Sequence, residues 1–459
     1  MPAGVSVPKP SCERALTGAV ESLQGEVIAT VYATRAVPEY EVAGKAITAV
    51  LRALERLAPR KLRVVEGPAG AKGERAAESA GIAAGEIIAG RPTYLGVALR
   101  YEGRHEVITL RSPHETDRFT LELVTKLVRL RNQVENTPVS VGVHSKDGAE
   151  LDLAALLPTA ALPKAVAALG NAFSGYRFEA IGAGPAPIDP SVRALLVLGS
   201  GDDWADADLR RLDDFIVGGK AAAFFVGSVE PSRGELAAGR PAGGLESLLS
   251  GYGVDLADDA VFEPQRAFSA NTGGRSGVVV SFPALLVAYG REIGPGRVGL
   301  DESFLPFSGG APLSFPAAST LTLRPGRQSK AIGRVVAGTS PNAMSYQGRF
   351  MLTTTEMRGG SAAPRALAVA VEGSLQPAIP RSDAAVVVAG SSQSRLLVVS
   401  SSLFLTNPFR DADADGSRNA ALLSSAYFAR HGMNTIRALQ NTLDWLTMTP
   451  DMAACASAE

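Results

Sequence analysis

The spacing Asp411-x-Asp413-x-Asp415-Gly416 is the closest approach to a chemical site in this 459-residue sequence. Three alternating carboxylates can converge on one hard cation, and the glycine permits the turn between them, as at the start of a calcium loop. Ser417 and Asn419 could add oxygens, but the twelfth position is Leu422, where a calcium loop needs a bidentate glutamate. Asp411, Asp413 and Asp415 are therefore calcium candidates, set against the plainer reading of a solvated acidic loop capping the final helix. The four histidines, His105, His114, His144 and His431, form no HExxH or other ligand spacing. His114-Glu115-x-Asp117 precedes a helix, where acidic side chains suit the positive end of the dipole, so it reads as a cap.

Nucleophilic catalysis needs a serine or cysteine on a strained strand-to-helix turn beside a base, and no GxSxG occurs. Ser200 and Ser391 do sit in strand-end loops, where open α/β sheets hold ligands. Position without a partner base is weak support, and glycine and serine are common in such turns for conformational reasons alone. No catalytic residue is assigned. The loop carrying Ser200, Asp202, Asp203 and Trp204 is instead expected as an interaction surface. Gly218-Gly219-Lys220 lacks the upstream glycine and the Ser/Thr of a phosphate loop and precedes a strand, so it is a turn.

The elements that must position these residues are legible from periodicity. Glu26–Ala33, a helical pattern from Val42 to Leu57, and Lys61–Glu66 read as strand–helix–strand, which implies a parallel pair. A short helix is expected at Lys72–Ala80. Tyr94–Tyr101 and His105–Leu110, joined by Glu-Gly-Arg, read as a hairpin. A helix over Thr116–Leu130 and a strand at Val139–Val143 follow. Ala194–Leu198, a helix over Asp206–Val217 and Lys220–Val226 form the clearest doubly wound unit, and a last helix runs from about Ala420 to Thr447. The expected organisation is an N-terminal tail (1–22), an α/β domain (23–181), a Gly/Pro linker (182–190), a second α/β domain (191–450) and a C-terminal tail (451–459). Both domains are expected as three-layer folds with mostly parallel sheets, the second with a β- and loop-rich insertion at about 265–330.

Composition narrows the classes. With 45 basic and 46 acidic side chains there is no electrostatic footprint for nucleic acid or anionic lipid. Gly (48) and Pro (29) are frequent enough to demand many turns but not a low-complexity chain. Cys12 and Cys455 lie in the two expected tails, offer no CxxC or Cys–His spacing and leave the redox compartment open. No apolar run of transmembrane length is present.

Taken in order, several segments resemble the GldG-type auxiliary components of ABC transporters, known from gliding motility. They are Leu23–Thr34, Tyr94–Ile108, Ala194–Val226 with its Gly-Gly, Leu245–Asp255, Ala366–Gly373, Leu396–Phe404 and Asn441–Leu446. The resemblance implies glutamine-amidotransferase-like α/β modules that are not enzymes; a related domain occurs in an intraflagellar-transport subunit. It further implies a bacterial, periplasmic subunit partnered by permease and ATPase subunits and by a homologous auxiliary subunit. Family members are held at the inner membrane by flanking helices absent from this chain, so an excised ectodomain is expected. Two other readings stand beside it: a hydrolase or amidotransferase-like enzyme around Ser200 or Ser391, and a carbohydrate- or polymer-binding module whose aromatics line a groove near 262–307.

Overall fold

The structure is a computed structural model that describes residues 10–456 apart from 146–150, 159–162, 201–203, 233–234, 239–243, 272–276, 278, 291–298, 353–359, 381–392 and 411–417. The chain divides into two compact units. The first comprises residues 1–139, 174–176 and 448–459, the second 140–173 and 177–447.

In the first unit, α1 (Pro10–Glu21) is followed by β1 (Val27–Ala33), α2 (Pro38–Leu57), β2 (Leu62–Glu66), α3 (Gly70–Ser79), β3 (Leu95–Tyr101), β4 (Arg104–Thr109) and α4 (Phe119–Val134). The four-stranded sheet runs β2-β1-β3-β4. Only β1 and β2 are parallel, as the intervening helix demands, while β1–β3 and β3–β4 are antiparallel. The β3–β4 turn uses Glu102 and Gly103 at φ 45° and 78°, the left-handed pair of a tight hairpin. Val27, Ala29, Val31, Val64, Val97 and Leu99 are buried on the face where α2 and α4 pack. The opposite face is covered only in part, where Ala77 of α3, Ile82 and Tyr94 pack against Tyr32 and Val107. This sheet is thus mixed rather than mostly parallel, and a ten-residue α3 cannot complete the expected third layer.

The face under α4 contains a buried charge cluster. Glu106 accepts from Arg129 Nη1 at 3.2 Å and lies 3.2 Å from Lys126 Nζ; the three side chains are 12%, 1% and 9% exposed. Burial alone would raise the Glu106 pKa, but the Arg129 guanidinium and the Lys126 ammonium outweigh it and hold the carboxyl below its ordinary value. A depressed folded-state pKa contributes stability above the unfolded value of about 4.3, lost as pH falls through the folded value. Glu106→Gln should therefore cost about 2 kcal/mol at pH 7. Denaturant titrations should show the gap from wild type closing below about pH 4; a pH-independent gap would refute this assignment.

Residues 10–21 and 450–456, which fall largely in the two expected tails, form packed helices. α1 buries Cys12, Ala15, Leu16, Ala19 and Val20, and α10 (Pro450–Ala456) buries Met452 and Cys455. Both helices pack on α4. They are joined by a Cys12–Cys455 disulfide, Cα–Cα 4.6 Å, across 443 residues of sequence. Among the described residues no cysteine is free.

The second unit contains β5 (Val139–Ser145, its first residue excepted), α5 (Pro163–Ala172), β6 (Tyr176–Ile181, likewise), β7 (Ala194–Ser200), α6 (Asp206–Val217), β8 (Ala221–Gly227), α7 (Leu245–Gly251), β9 (Val254–Leu256), β10 (Leu321–Leu323), β11 (Ala331–Gly338), β12 (Ala366–Gly373), β13 (Ser394–Val399), α8 (Arg418–Tyr427) and α9 (Met433–Thr447). The nine-stranded sheet runs β9-β10-β12-β13-β8-β7-β5-β6, with β11 beside β12. β13, β8, β7 and β5 are parallel; β9, β10, β11 and β12 add antiparallel pairings. The units part near residues 139 and 176, and not at 182–190, because β5 hydrogen-bonds to β7.

Leu195, Val197, Ala222, Phe224, Leu396 and Val398 share a core with α6 and α7. The alternate residues of β7 and β8 face the other way, and α9 packs there against both strands, which makes three layers. Within 265–330, the strands Ala267–Asn271, Val279–Ala288 and Leu313–Pro316 form a small antiparallel sheet. The expected final helix is interrupted by a π turn at Phe428–Gly432. Its His431 is buried beside Phe268 and Tyr427, and burial, aided by Arg430, pushes it down to about 4. Among the described residues no helix is long and apolar enough to cross a membrane.

Candidate functional site

Strand order locates the place where an open α/β sheet binds ligands. The strand following β5 in sequence, β6, lies on one side of it; the strand following β7, β8, lies on the other. The reversal puts a switch point at the carboxyl ends of β5 and β7. β7 is a buried apolar strand, as a parallel strand covered on both faces must be. α6 starts with Asp206 and Asp208 in its first turn, where carboxylates suit the dipole, and is capped by Gly218 and followed by Gly219, whose φ of 86° favours glycine.

The residues meeting at this switch point are His144 near the end of β5, Trp204 just before α6, and Asp208 and Arg211 on α6. His144 is 1% exposed. Its Nδ1 donates to the Ile181 carbonyl at 2.8 Å, which sets the tautomer, and its Nε2 faces Arg211 Nη2 at 3.4 Å. Burial pushes its pKa down against the Ile181 carbonyl, and the Arg211 guanidinium adds to the depression. The imidazole is neutral, with its remaining lone pair turned to a cation. A histidine held in this way has no free acceptor for a serine proton.

Arg211 is the hub. Its Nη2 donates to the Gly182 carbonyl at 2.6 Å and to Asp208 Oδ1 at 3.1 Å, and its Nη1 to the Ala186 carbonyl at 3.4 Å. Asp208 Oδ1 also accepts from the Gly184 N–H at 2.8 Å. Residues 182–186, expected as part of a linker, are therefore fastened to α6. The Trp204 indole meets the His144 ring edge-on, with centroids 4.8 Å apart. It lies so close to β7 that a Cβ on Gly199 would sit 3.3 Å from Cζ2. Its Nε1 is buried without a hydrogen-bond partner. Beside the hub, Pro185, Pro187, Ile188, Asp206, Arg210, Asp214 and Phe215 line an open cavity of about 630 Å³.

Of the interaction residues expected from sequence, Trp204 is packed into the switch point, Ser200 ends β7, and Asp202 and Asp203 lie outside the described residues. Ser391 and the calcium candidates Asp411, Asp413 and Asp415 lie outside them too. Among the described residues no group of three or more His, Cys, Asp or Glu could hold a metal. His114 N–H is capped by the Ser112 hydroxyl, and His105 is exposed on β4. Phe262, Phe268, Phe282, Phe304 and Phe307 are all buried, so the aromatics of 262–307 do not line a binding groove, and Tyr289 alone among them is substantially exposed. Sequence reasoning passed over His144 because its partners lie 37 and 67 residues away. The usable signal was its position at a strand end.

Comparison with known proteins gives one family. The model of the family described as an ABC-type uncharacterized transport system matches residues 141–426, from within β5 to within α8, and so spans the whole cluster. No curated protein matches the chain. Among solved structures, the mmIFT52 N-terminal domain is 13% identical, covering 68% of this chain and 98% of that one at a TM-score of 0.36. Exo-beta-1,4-mannosidase Op5Man5 from Opitutaceae bacterium strain TAV5 is 11% identical, covering 94% and 57% at 0.25. Both scores are too low to carry an argument about fold or function.

Proposed function

Since the chain belongs to this family of auxiliary ABC transport components, we propose that it is a non-catalytic subunit on the extracytoplasmic side of the transporter, acting through contacts with protein partners. The permease and ATPase subunits of the same system are the partners this reading names. Two α/β domains then serve as a scaffold rather than as a reaction vessel.

The Cys12–Cys455 disulfide is the observation that carries the proposed compartment. Disulfides persist in oxidising compartments and are rare where glutathione and thioredoxin keep thiols reduced. Non-catalytic action is supported by the held imidazole of His144, with one nitrogen on a carbonyl and the other on a guanidinium.

Thiol trapping tests the compartment. Cells producing the chain are quenched in acid, and the denatured protein is treated with a maleimide-polyethylene glycol reagent before and after reduction. The expected result is no mass shift before reduction and two added adducts after it. Two adducts before reduction would overturn the extracytoplasmic reading.

A further inference from the structure

The β-sheet register of the first unit places three basic side chains in one row across all four strands. Ile28 of β1 is paired with Arg63 of β2 on one side and with Arg100 of β3 on the other, and Arg100 is opposite His105 of β4. Residues directly opposite share a face, so Arg63, Arg100 and His105 project together on the face that α3 covers only in part. All three are exposed, with half-buried Ile28 between them. The adjacent row is apolar or neutral: Val65, Thr30, Ala98 and Val107. Beside these rows an open groove of about 760 Å³ is walled by the end of α3 and the β3–β4 hairpin.

Charge pairing within the chain does not account for this row. Arg63 reaches Glu26 at 3.4 Å, with both side chains about half exposed. Among the described residues no hydrogen bond or ion pair within the chain engages the side chain of Arg100 or of His105. An arginine set opposite a histidine gains nothing from that neighbour, whereas a carboxylate between them would satisfy both.

We propose that this sheet face is a docking surface for an acidic, partly apolar peptide segment of a partner protein. Carboxylates would meet Arg100, His105 and Arg63, and apolar side chains would cover Ile28 and Val65. The groove is of mixed charge, with Glu26, Glu78 and Glu102 beside Arg100, Arg104 and His105, so it suits a peptide whose few carboxylates can be spaced onto the basic side chains and repels the continuous charge of a phosphate-backbone polymer. The surface goes beyond the transport reading and does not depend on it: a chain with reduced cysteines would keep the same row.

Fluorescence anisotropy on the full chain tests the proposal, with a labelled hexapeptide of alternating Glu and Val as probe. The counterpart with Lys in place of Glu and inorganic phosphate serve as controls. The acidic peptide should bind, weaken as salt rises, and lose about tenfold or more in affinity with Arg100→Glu and again with Arg63→Glu. Both side chains are exposed, so thermal unfolding of the variants should match wild type and exclude misfolding. Absence of binding, equal binding of the Lys peptide, an unchanged Arg100→Glu, or full displacement by equimolar phosphate would each overturn it.

Discussion

Cys12→Ser is expected to destabilise the first unit by about 2–5 kcal/mol under oxidising conditions. The cross-link closes a span of 443 residues, and loop-closure entropy grows only logarithmically with length, so the long span does not multiply the effect without limit. Loss is concentrated where the bond acts. α1 and α10 are short helices of 12 and 7 residues, each below the length at which an isolated helix is stable in water. They are held by packing on α4 and by the covalent bond. Hydrogen exchange should show amides of both helices exchanging faster in Cys12→Ser, while β7 and β8 of the second unit keep their protection. Cys455→Ser and the double variant should match the single one, and reductant should affect wild type alone. Wild-type exchange at α1 in the single variant would remove the staple from any stabilising role.

The second large effect is at the switch point. Arg211→Leu removes the guanidinium that holds the Gly182 and Ala186 carbonyls and leaves Asp208 buried beside no cation. Breaking a buried pair on one side costs about 3–5 kcal/mol, more than removing both partners. Asp208→Asn combined with Arg211→Leu should therefore recover part of the loss, a coupling read by a double-mutant cycle in denaturant. The hub also holds residues 182–186, so limited proteolysis should cut the single variant in that stretch first. If the double variant is as unstable as the sum of the two singles, the ion pair is not the coupling element.

His144 responds to the same change. Burial and the guanidinium both depress its pKa, so removing Arg211 lifts one of the two restraints and should raise it toward the ordinary histidine value. A ring that becomes protonatable in Arg211→Leu would tie the neutrality of this histidine to its structural partner.

How far the sequence could be read depended on the distance between partners. Period-2 and period-3.6 patterns placed β1, α2 and β2, the β3–β4 hairpin, and the β7–α6–β8 unit within a few residues of their observed bounds, because each pattern follows from backbone geometry and burial of one face. α1 was equally readable: Cys12, Ala15, Leu16, Ala19, Val20 and Leu23 recur at helical spacing and all are buried. It was passed over because it lies near the chain end, where a tail is the usual expectation. The collinear resemblance anticipated the transport family, whose match spans residues 141–426.

By itself the sequence determined most of the helices and strands between the chain ends, the α/β class, and the want of a GxSxG spacing, since each depends on residues a few positions apart. Tertiary structure alone decided that β5 joins the sheet of β7, that Cys12 meets Cys455, that Arg211 reaches His144, and that Arg63, Arg100 and His105 share a row. Those pairings unite residues tens to hundreds of positions apart. Nothing in local spacing selects one distant partner over another; sheet register and packing do, and they exist only once the chain has folded.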